Sequence, residues 1–440
     1  MNKTDIRKQF FYSLKRGRGE AYLLMKQYPE IDFSTYIQKA IVKNYAYDGQ
    51  CENSRADYLF SLYQLSDKKE KIREAVFTAL QTETQDTWTL TQLFGFAKIL
   101  AQHGDKQAKC AIYERFGKKI IVGSDWVGSA EILALDGFEG LKFIAETFGK
   151  LLEKNPDDRQ DDQLISDLQM ENKEIDVVKE LEKAAKQNKY IQIYLDNVRK
   201  TVAGVGRDIG MHRLEATRKE KPKDIIAFIK EEHPYFIKQR GFNDAELEQI
   251  ALHFLQEKDR KLKAQFLSVF TEFKYPFDYH DLLESAKGKL HTNWRFYNID
   301  IARFAAVALK FFQGKDIRDF AIEKLKTAKK DTYIYLNLLI SNYQKGDDKL
   351  LNEIINLADD GYFIDYINYG IRDIYKKNPV SECKIPLENL YRKINNSYCR
   401  TAIIKVLIKN NALSDEILRA MEFDCNEDTR KLFAEQKKKK

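Results

Sequence analysis

The glycine-rich residues 204–210 (GVGRDIG) are the part of this sequence most similar to a phosphate-binding loop. Such loops use glycines so that the backbone can approach a phosphate at the N-terminus of a helix. The spacing here matches neither GxGxxG nor GxxxxGK[ST], and no strand is predicted before it. We therefore expect an ordinary turn between two helices and no bound nucleotide.

Side chains that bind metals are present, but they do not have the spacing of a metal site. Aspartates cluster at 157–162, 347–348 and 359–360, without the central glycine and final glutamate of a calcium-binding loop. The 6 histidines and 5 cysteines are scattered, with neither HExxH nor CxxC. We predict no metal and no cofactor. An odd number of dispersed cysteines indicates a reducing compartment, so we expect a cytoplasmic protein.

Four arginines occupy equivalent places in a recurring pattern: Arg73, Arg318, Arg400 and Arg430. A row of guanidinium groups could bind phosphates or acidic side chains of a partner. The alternative is that they pair with aspartates of the protein itself. An aspartate two positions before two of these arginines favours that second interpretation.

Aromatic residues are the other candidates for binding. Trp294 and Arg295 lie within HTNWRFY (residues 291–297), and Trp126 follows Asp125. Such side chains could anchor a protein partner or stack on nucleobases, although packing between helices would explain them equally well. The predicted partner-binding residues are therefore Arg318, Arg400, Trp294, Arg295 and Trp126.

Helices must position these residues, because apolar side chains recur with the helical period almost throughout. Residues 72, 75, 76, 79 and 80 form one apolar stripe. Only 7 prolines and 20 glycines interrupt 440 residues, which argues against a β protein with many turns. Tyr362, Phe363, Tyr366 and Tyr369 also have helical spacing, and we expect them to pack in the core.

One helical pattern recurs with short turns between its copies. The clearest copy is DIRDFA at 316–321, followed by Leu325, with looser copies at 71–75, 105–112, 399–407 and 428–434. It resembles the second helix of a HEAT or armadillo repeat, Asp-x-(Val/Ile)-Arg-x-x-Ala-x-x-x-Leu. The resemblance implies an all-α fold, an α-solenoid of antiparallel helix pairs with an extended concave surface.

A polar, acidic stretch separates two helical regions of this chain. We predict an N-terminal repeat region at 1–155, a linker or long loop at 156–176, a C-terminal repeat region at 177–436 and a disordered lysine tail at 437–440. The net charge is +7, and the excess lies beyond residue 200. This basic character is weaker than that of dedicated nucleic-acid-binding proteins.

The sequence shows no catalytic motif, no apolar run of the roughly 18 residues that cross a membrane and no small-molecule site. We therefore expect a non-enzymatic scaffold whose concave face binds a macromolecule, with a protein as the preferred partner. The alternative is a HEAT-like protein that binds nucleic acid, including a DNA glycosylase for alkylated bases. The mildly basic C-terminal part and the Trp126 and Trp294 regions are compatible with that alternative.

Overall fold

The computed structural model describes residues 2–52, 54–118, 126–204, 224–231, 241–290, 300–327, 332–358 and 362–439. Within these ranges the structure contains 25 α-helices, two short 3₁₀ helices and no β-strand. The all-α prediction is therefore confirmed. Among the same residues, no helix is long and apolar enough to span a membrane.

The chain divides into two compact units. Unit 1 comprises Met1–Arg218 together with Arg419–Lys440, and unit 2 comprises Lys219–Leu418. Unit 1 thus contains both ends of the chain. A short helix at Gln163–Glu171 occupies part of the stretch for which the sequence predicted a linker or long loop, and the last helix, Glu427–Lys439, extends through most of the lysine tail.

The helices of unit 1 come mostly from the first half of the chain. They are α1 (Lys3–Lys15), α2 (Glu20–Gln27), α3 (Ser34–Ile41), α4 (Gly49–Glu52), α5 (Ala56–Gln64), α6 (Lys69–Thr82), α7 (Thr87–Gln102), α8 (Lys106–Lys118), α9 (Ser129–Lys154), α10 (Gln163–Glu171), α11 (Val177–Ala185), α12 (Lys189–Ala203) and α25 (Glu427–Lys439). The boundary between the units falls within α24 (Asp415–Met421).

The helices of unit 2 are on average shorter. They are α13 (Ile225–Glu231), α14 (Asp244–Gln256), α15 (Arg260–Val269), α16 (His280–Ala286), α17 (Ile301–Ala308), α18 (Lys315–Thr327), α19 (Thr332–Leu339), α20 (Asp348–Leu357), α21 (Tyr362–Lys377), α22 (Lys384–Lys393) and α23 (Ser397–Lys409). The 3₁₀ helices are Leu309–Phe311 and Ser381–Cys383.

Local sequence signals explain where individual helices form. Ile72, Val76 and Leu80 of α6 are fully buried, which is the stripe predicted from their spacing. Helix α7 begins after Asp86, whose carboxylate accepts hydrogen bonds from the first backbone amides of the helix. Helix α14 begins with a capping box formed by Asn243 and Glu246.

The two ends of the chain meet in unit 1 at the sequence RGRG (residues 16–19). Gly17 has a φ of +67°, and its carbonyl accepts a hydrogen bond of 2.8 Å from the backbone amide of Cys425. The rings of Tyr22 and Phe423 stack at 4.0 Å between centroids. The C-terminal segment is therefore an integral part of the N-terminal core.

In unit 2, alternate helices pack side by side: α15 contacts α17, α17 contacts α19, α19 contacts α21, and α21 contacts α23. An asparagine follows the last turn of three of them. Each amide nitrogen donates to the carbonyl four residues earlier and to a carbonyl at the end of the preceding helix in the row. These residues are Asn342, Asn378 and Asn410.

Replacing Asn410 with alanine is expected to lower the free energy of unfolding of unit 2 by about 1–3 kcal/mol. Its buried amide group donates to Val406 and Tyr375 and accepts a bond of 2.6 Å from the amide of Val380. Chemical denaturation followed by circular dichroism measures the loss. Asn352→Ala, which removes one hydrogen bond to Asn389, is the control and should cost less. Equal losses would contradict the prediction.

Candidate partner-binding site

Four tyrosines lie on three neighbouring helices of unit 2, and three of the four are exposed. Tyr333 belongs to α19, Tyr366 and Tyr369 belong to α21, and Tyr398 belongs to α23. The last three are 37%, 52% and 46% exposed, respectively. We call Tyr333, Tyr366, Tyr369 and Tyr398 the tyrosine surface. Exposed groups of large aromatic side chains are uncommon on protein surfaces and mark interaction sites.

The prediction that the aromatic stripe of α21 belongs to the core is wrong for Tyr366 and Tyr369. Other residues of α21, among them Ile364, Ile371 and Tyr375, are buried. The helix is therefore apolar or aromatic on two sides. Helical spacing shows that Tyr366 and Tyr369 share a side, but it does not show which side meets the core.

The tyrosine surface is ordered by contacts between its helices. The rings of Tyr333 and Tyr366 stack at 4.7 Å between centroids with 26° between their planes. The hydroxyl of Tyr333 accepts a hydrogen bond of 2.6 Å from Nη1 of Arg303, which is largely buried. Arg303 thus holds the first ring, and the first ring supports the second.

Tyr369 is held from both sides. The guanidinium of Arg372 lies 5.1 Å from the centre of its ring. The pKa of Tyr369 is raised above its ordinary value, mainly by the neighbouring sulfur of Cys399 on α23 and secondly by partial burial. The shift is away from neutral pH, so the phenol is protonated there, as an ordinary tyrosine is.

Charged side chains of both signs lie near the tyrosine surface. Arg372 and Asp373 form an ion pair of 3.9 Å. Lys376 and Lys405 are exposed, and each lies seven residues after a tyrosine of this surface, on the same face of its helix. The surroundings of the aromatic rings therefore include exposed lysines.

Arg318, a predicted partner-binding residue, is bound within unit 2. Its Nη1 and Nη2 atoms each donate to a carboxylate oxygen of Asp347 at 2.7 Å, and Nη1 also donates to the carbonyl of Asn342. Arg318 lines a groove of about 540 Å³. Arg73 of unit 1 binds Asp105 in the same manner, through Nε and Nη2. In both units, an arginine within a helix thus binds an aspartate that lies further along the chain, in a turn between two helices.

The other arginines of the pattern also make contacts within the protein. Arg400 is 1% exposed, and its Nη1 donates to the carbonyl of Asn395. Nη1 of Arg430 donates to the carbonyls of Asp424 and Cys425. These contacts of Arg400 and Arg430 are to backbone carbonyls, whereas the expected pairing with aspartates is present at Arg73 and Arg318.

Of the predicted aromatic residues, Trp126 is exposed, and it contacts the exposed ring of Trp88 in unit 1. Trp294 and Arg295 lie outside the described residues. Trp88, Tyr333 and Tyr398 were not among the residues predicted to bind a partner. Tyr333 and Tyr398 could have been found as aromatic residues on the polar sides of predicted helices. Nothing in the sequence links Trp88 with Trp126.

Among the residues that the structure describes, no group of three or more histidine, cysteine, aspartate or glutamate side chains is arranged to hold a metal ion. A comparison with protein-family models finds no match, and comparisons with curated proteins and with solved structures find none either. Functional conclusions therefore rest on the geometry of the chain itself.

Proposed function

We propose that this protein is an α-solenoid adaptor that binds a protein partner through the tyrosine surface. The observation that carries the proposal is the group of exposed tyrosines on the neighbouring helices α21 and α23, with Tyr366 stacked on the partly buried Tyr333 of α19. Tyrosine and arginine are among the residue types that contribute most to the binding energy of protein interfaces. Arg303 holds the ring of Tyr333, which stacks on Tyr366, and Arg372 lies against Tyr369, so these rings are positioned before a partner arrives.

Repetition of structural details supports a solenoid arrangement. Alternate helices of unit 2 pack in one row, and the asparagine contacts recur along that row. The Arg73–Asp105 and Arg318–Asp347 pairs occur in different units. Repeat proteins are built from such equivalent contacts between neighbouring repeats.

We infer that the row containing the tyrosine surface lines the concave side of the array. Residues on most sides of helix α19 are buried, including Ile334, Leu336 and Leu338. Helix α20 of the other row buries a single stripe at Leu351, Ile354 and Ile355. The inner row of a curved, two-layered array is the more enclosed one.

The test compares a double variant, Tyr366→Ala with Tyr369→Ala, with the control Ile385→Ala. Ile385 is 61% exposed on α22 of the same unit and lies outside the tyrosine surface. Partners purified with the wild-type chain are identified, produced separately and titrated by calorimetry. The double variant is expected to bind at least roughly tenfold more weakly, and the control is expected to bind like the wild type.

Binding that is unchanged in the double variant, with an unchanged melting temperature, would contradict this proposal. Fluorescence anisotropy with a DNA duplex and an RNA strand at two salt concentrations tests the alternative. Tight binding with a steep salt dependence would favour a nucleic-acid-binding protein instead.

A further inference from the structure

Two tryptophan side chains meet on the surface of unit 1. Trp88 lies in the first turn of α7, and Trp126 lies just before α9. Their ring centroids are 6.5 Å apart with 62° between the planes, so the indoles form an open wedge. Trp88 is 37% exposed and Trp126 is 49% exposed. The wedge is therefore accessible from solvent.

Backbone contacts position the indole of Trp88 and the main chain of Trp126. The ring of Trp88 lies directly on Gly49, where an added Cβ would be 2.4 Å from the indole Cγ atom. The carbonyl of Trp126 accepts hydrogen bonds from the backbone amide and the hydroxyl of Ser129. Gly128 follows with a φ of +98° and lies against the ring of Phe94. A site that is ordered in this way loses little entropy when a ligand binds.

Two acidic side chains lie beside the residues of the wedge. Asp48 precedes Gly49, Asp86 lies two residues before Trp88, and each accepts backbone hydrogen bonds at the start of a helix. Glu52 is ion-paired with the buried Arg55 at 2.7 Å and adds no net charge. Aromatic faces together with acidic groups attract a cation.

We propose that the Trp88–Trp126 wedge binds a trimethylammonium group, carried either by trimethyllysine or by a choline-like small molecule. The negative face of an indole attracts cations, and the attraction is greatest for a cation that gives up its water easily. A lysine ammonium is compact and strongly hydrated, whereas a trimethylated nitrogen is covered by methyl groups that fit an apolar wedge. This site is separate from the tyrosine surface of unit 2.

Intrinsic fluorescence tests the proposal directly, because the chain contains only 3 tryptophans. In a Trp294→Phe background, the remaining tryptophan emission comes from the wedge. Choline and a trimethyllysine peptide are titrated in parallel, with the neutral tert-butyl analogue of choline and the unmethylated peptide as controls. We expect a saturable change with the cationic trimethylammonium ligands and none with either control.

Variants then locate the site. Trp126→Ala is expected to weaken binding at least roughly fivefold, as followed by calorimetry. Met170→Ala is the matched control, because Met170 is also 49% exposed in unit 1, and it should bind like the wild type. A melting temperature close to that of the wild type shows that the variant is folded.

Each outcome decides a different question. Stronger binding of the peptide than of choline identifies a methylated protein as the ligand source, and the reverse identifies a small molecule. An equal response to choline and to its neutral analogue would show that the wedge binds apolar groups irrespective of their charge, and it would overturn the proposal. No saturable response to choline or to the trimethyllysine peptide would overturn it as well.

Discussion

Gly19→Ala is expected to destabilise unit 1 by at least about 3 kcal/mol, the largest effect we predict for a single methyl group. A Cβ at this position would be 1.9 Å from the carbonyl oxygen of Ala420 and 2.8 Å from its carbonyl carbon. These are backbone atoms, so no side-chain rotation can relieve the overlap. The C-terminal segment would have to move away from the N-terminal helices.

That movement would break several contacts at once. The stacking of Tyr22 on Phe423 and the hydrogen bond from Cys425 to Gly17 both connect the same two segments. We expect a lower midpoint of thermal unfolding and faster proteolysis of the residues that follow Arg419. Differential scanning calorimetry and limited proteolysis measure the two effects.

Gly117→Ala provides the control for this prediction. Gly117 lies within α8, and the nearest side-chain atom to an added Cβ would be 3.9 Å away, on Phe143. Alanine in a helix is favoured over glycine, so this variant should be neutral or slightly more stable than the wild type. The prediction for Gly19 would be contradicted if both variants melted at the same temperature.

The second large effect concerns Arg318 and Asp347. Alanine at either position is expected to lower the free energy of unfolding of unit 2 by about 2–4 kcal/mol, because the partner is left in a mostly buried place without its opposite charge. The two side chains are 17% and 9% exposed and share two hydrogen bonds of 2.7 Å. Urea denaturation followed by circular dichroism measures the loss.

A double-mutant cycle separates the pair from its surroundings. The double alanine variant should be little less stable than either single variant, because both single changes break the same interaction. Arg318→Lys should recover only part of the stability, since an ammonium cannot make the two parallel bonds of a guanidinium. Strictly additive effects would show that the two residues act independently.

A surface arginine serves as the control. Arg392 is 45% exposed, and its ion pairs with Glu388 and Glu416 are 3.7 Å and 3.5 Å long. Exposed pairs contribute at most about 1 kcal/mol, so Arg392→Ala should have a small effect. If Arg318 served a partner and not the fold, Arg318→Ala would leave stability unchanged and reduce binding alone.

The asparagines at the helix ends show what sequence reading could have added. Asn342, Asn378 and Asn410 stand 36 and 32 residues apart, each just after an apolar helix. Their spacing is visible in the sequence, and a search for polar residues at helix ends would have found them. Their second hydrogen bond, to the preceding helix of the row, was not visible, because it joins residues 30, 38 and 35 positions apart.

Local patterns in the sequence are sufficient to predict that this protein is helical and which positions could face a core. Stripes such as Ile72, Val76 and Leu80 follow from the helical period, which is a local property of neighbouring residues. Helix starts at Asp86 and Asn243 follow equally from local capping chemistry.

Which surfaces stay exposed and which distant residues come into contact depends on how the helices pack. Tyr366 and Tyr369 have the spacing of core residues, yet the packing of α21 leaves them at the surface. Trp88 meets Trp126, and Gly19 meets Ala420, through contacts that no periodicity encodes. Such contacts depend on how whole helices pack, because the free energy of burial is shared among many side chains and no single position specifies it.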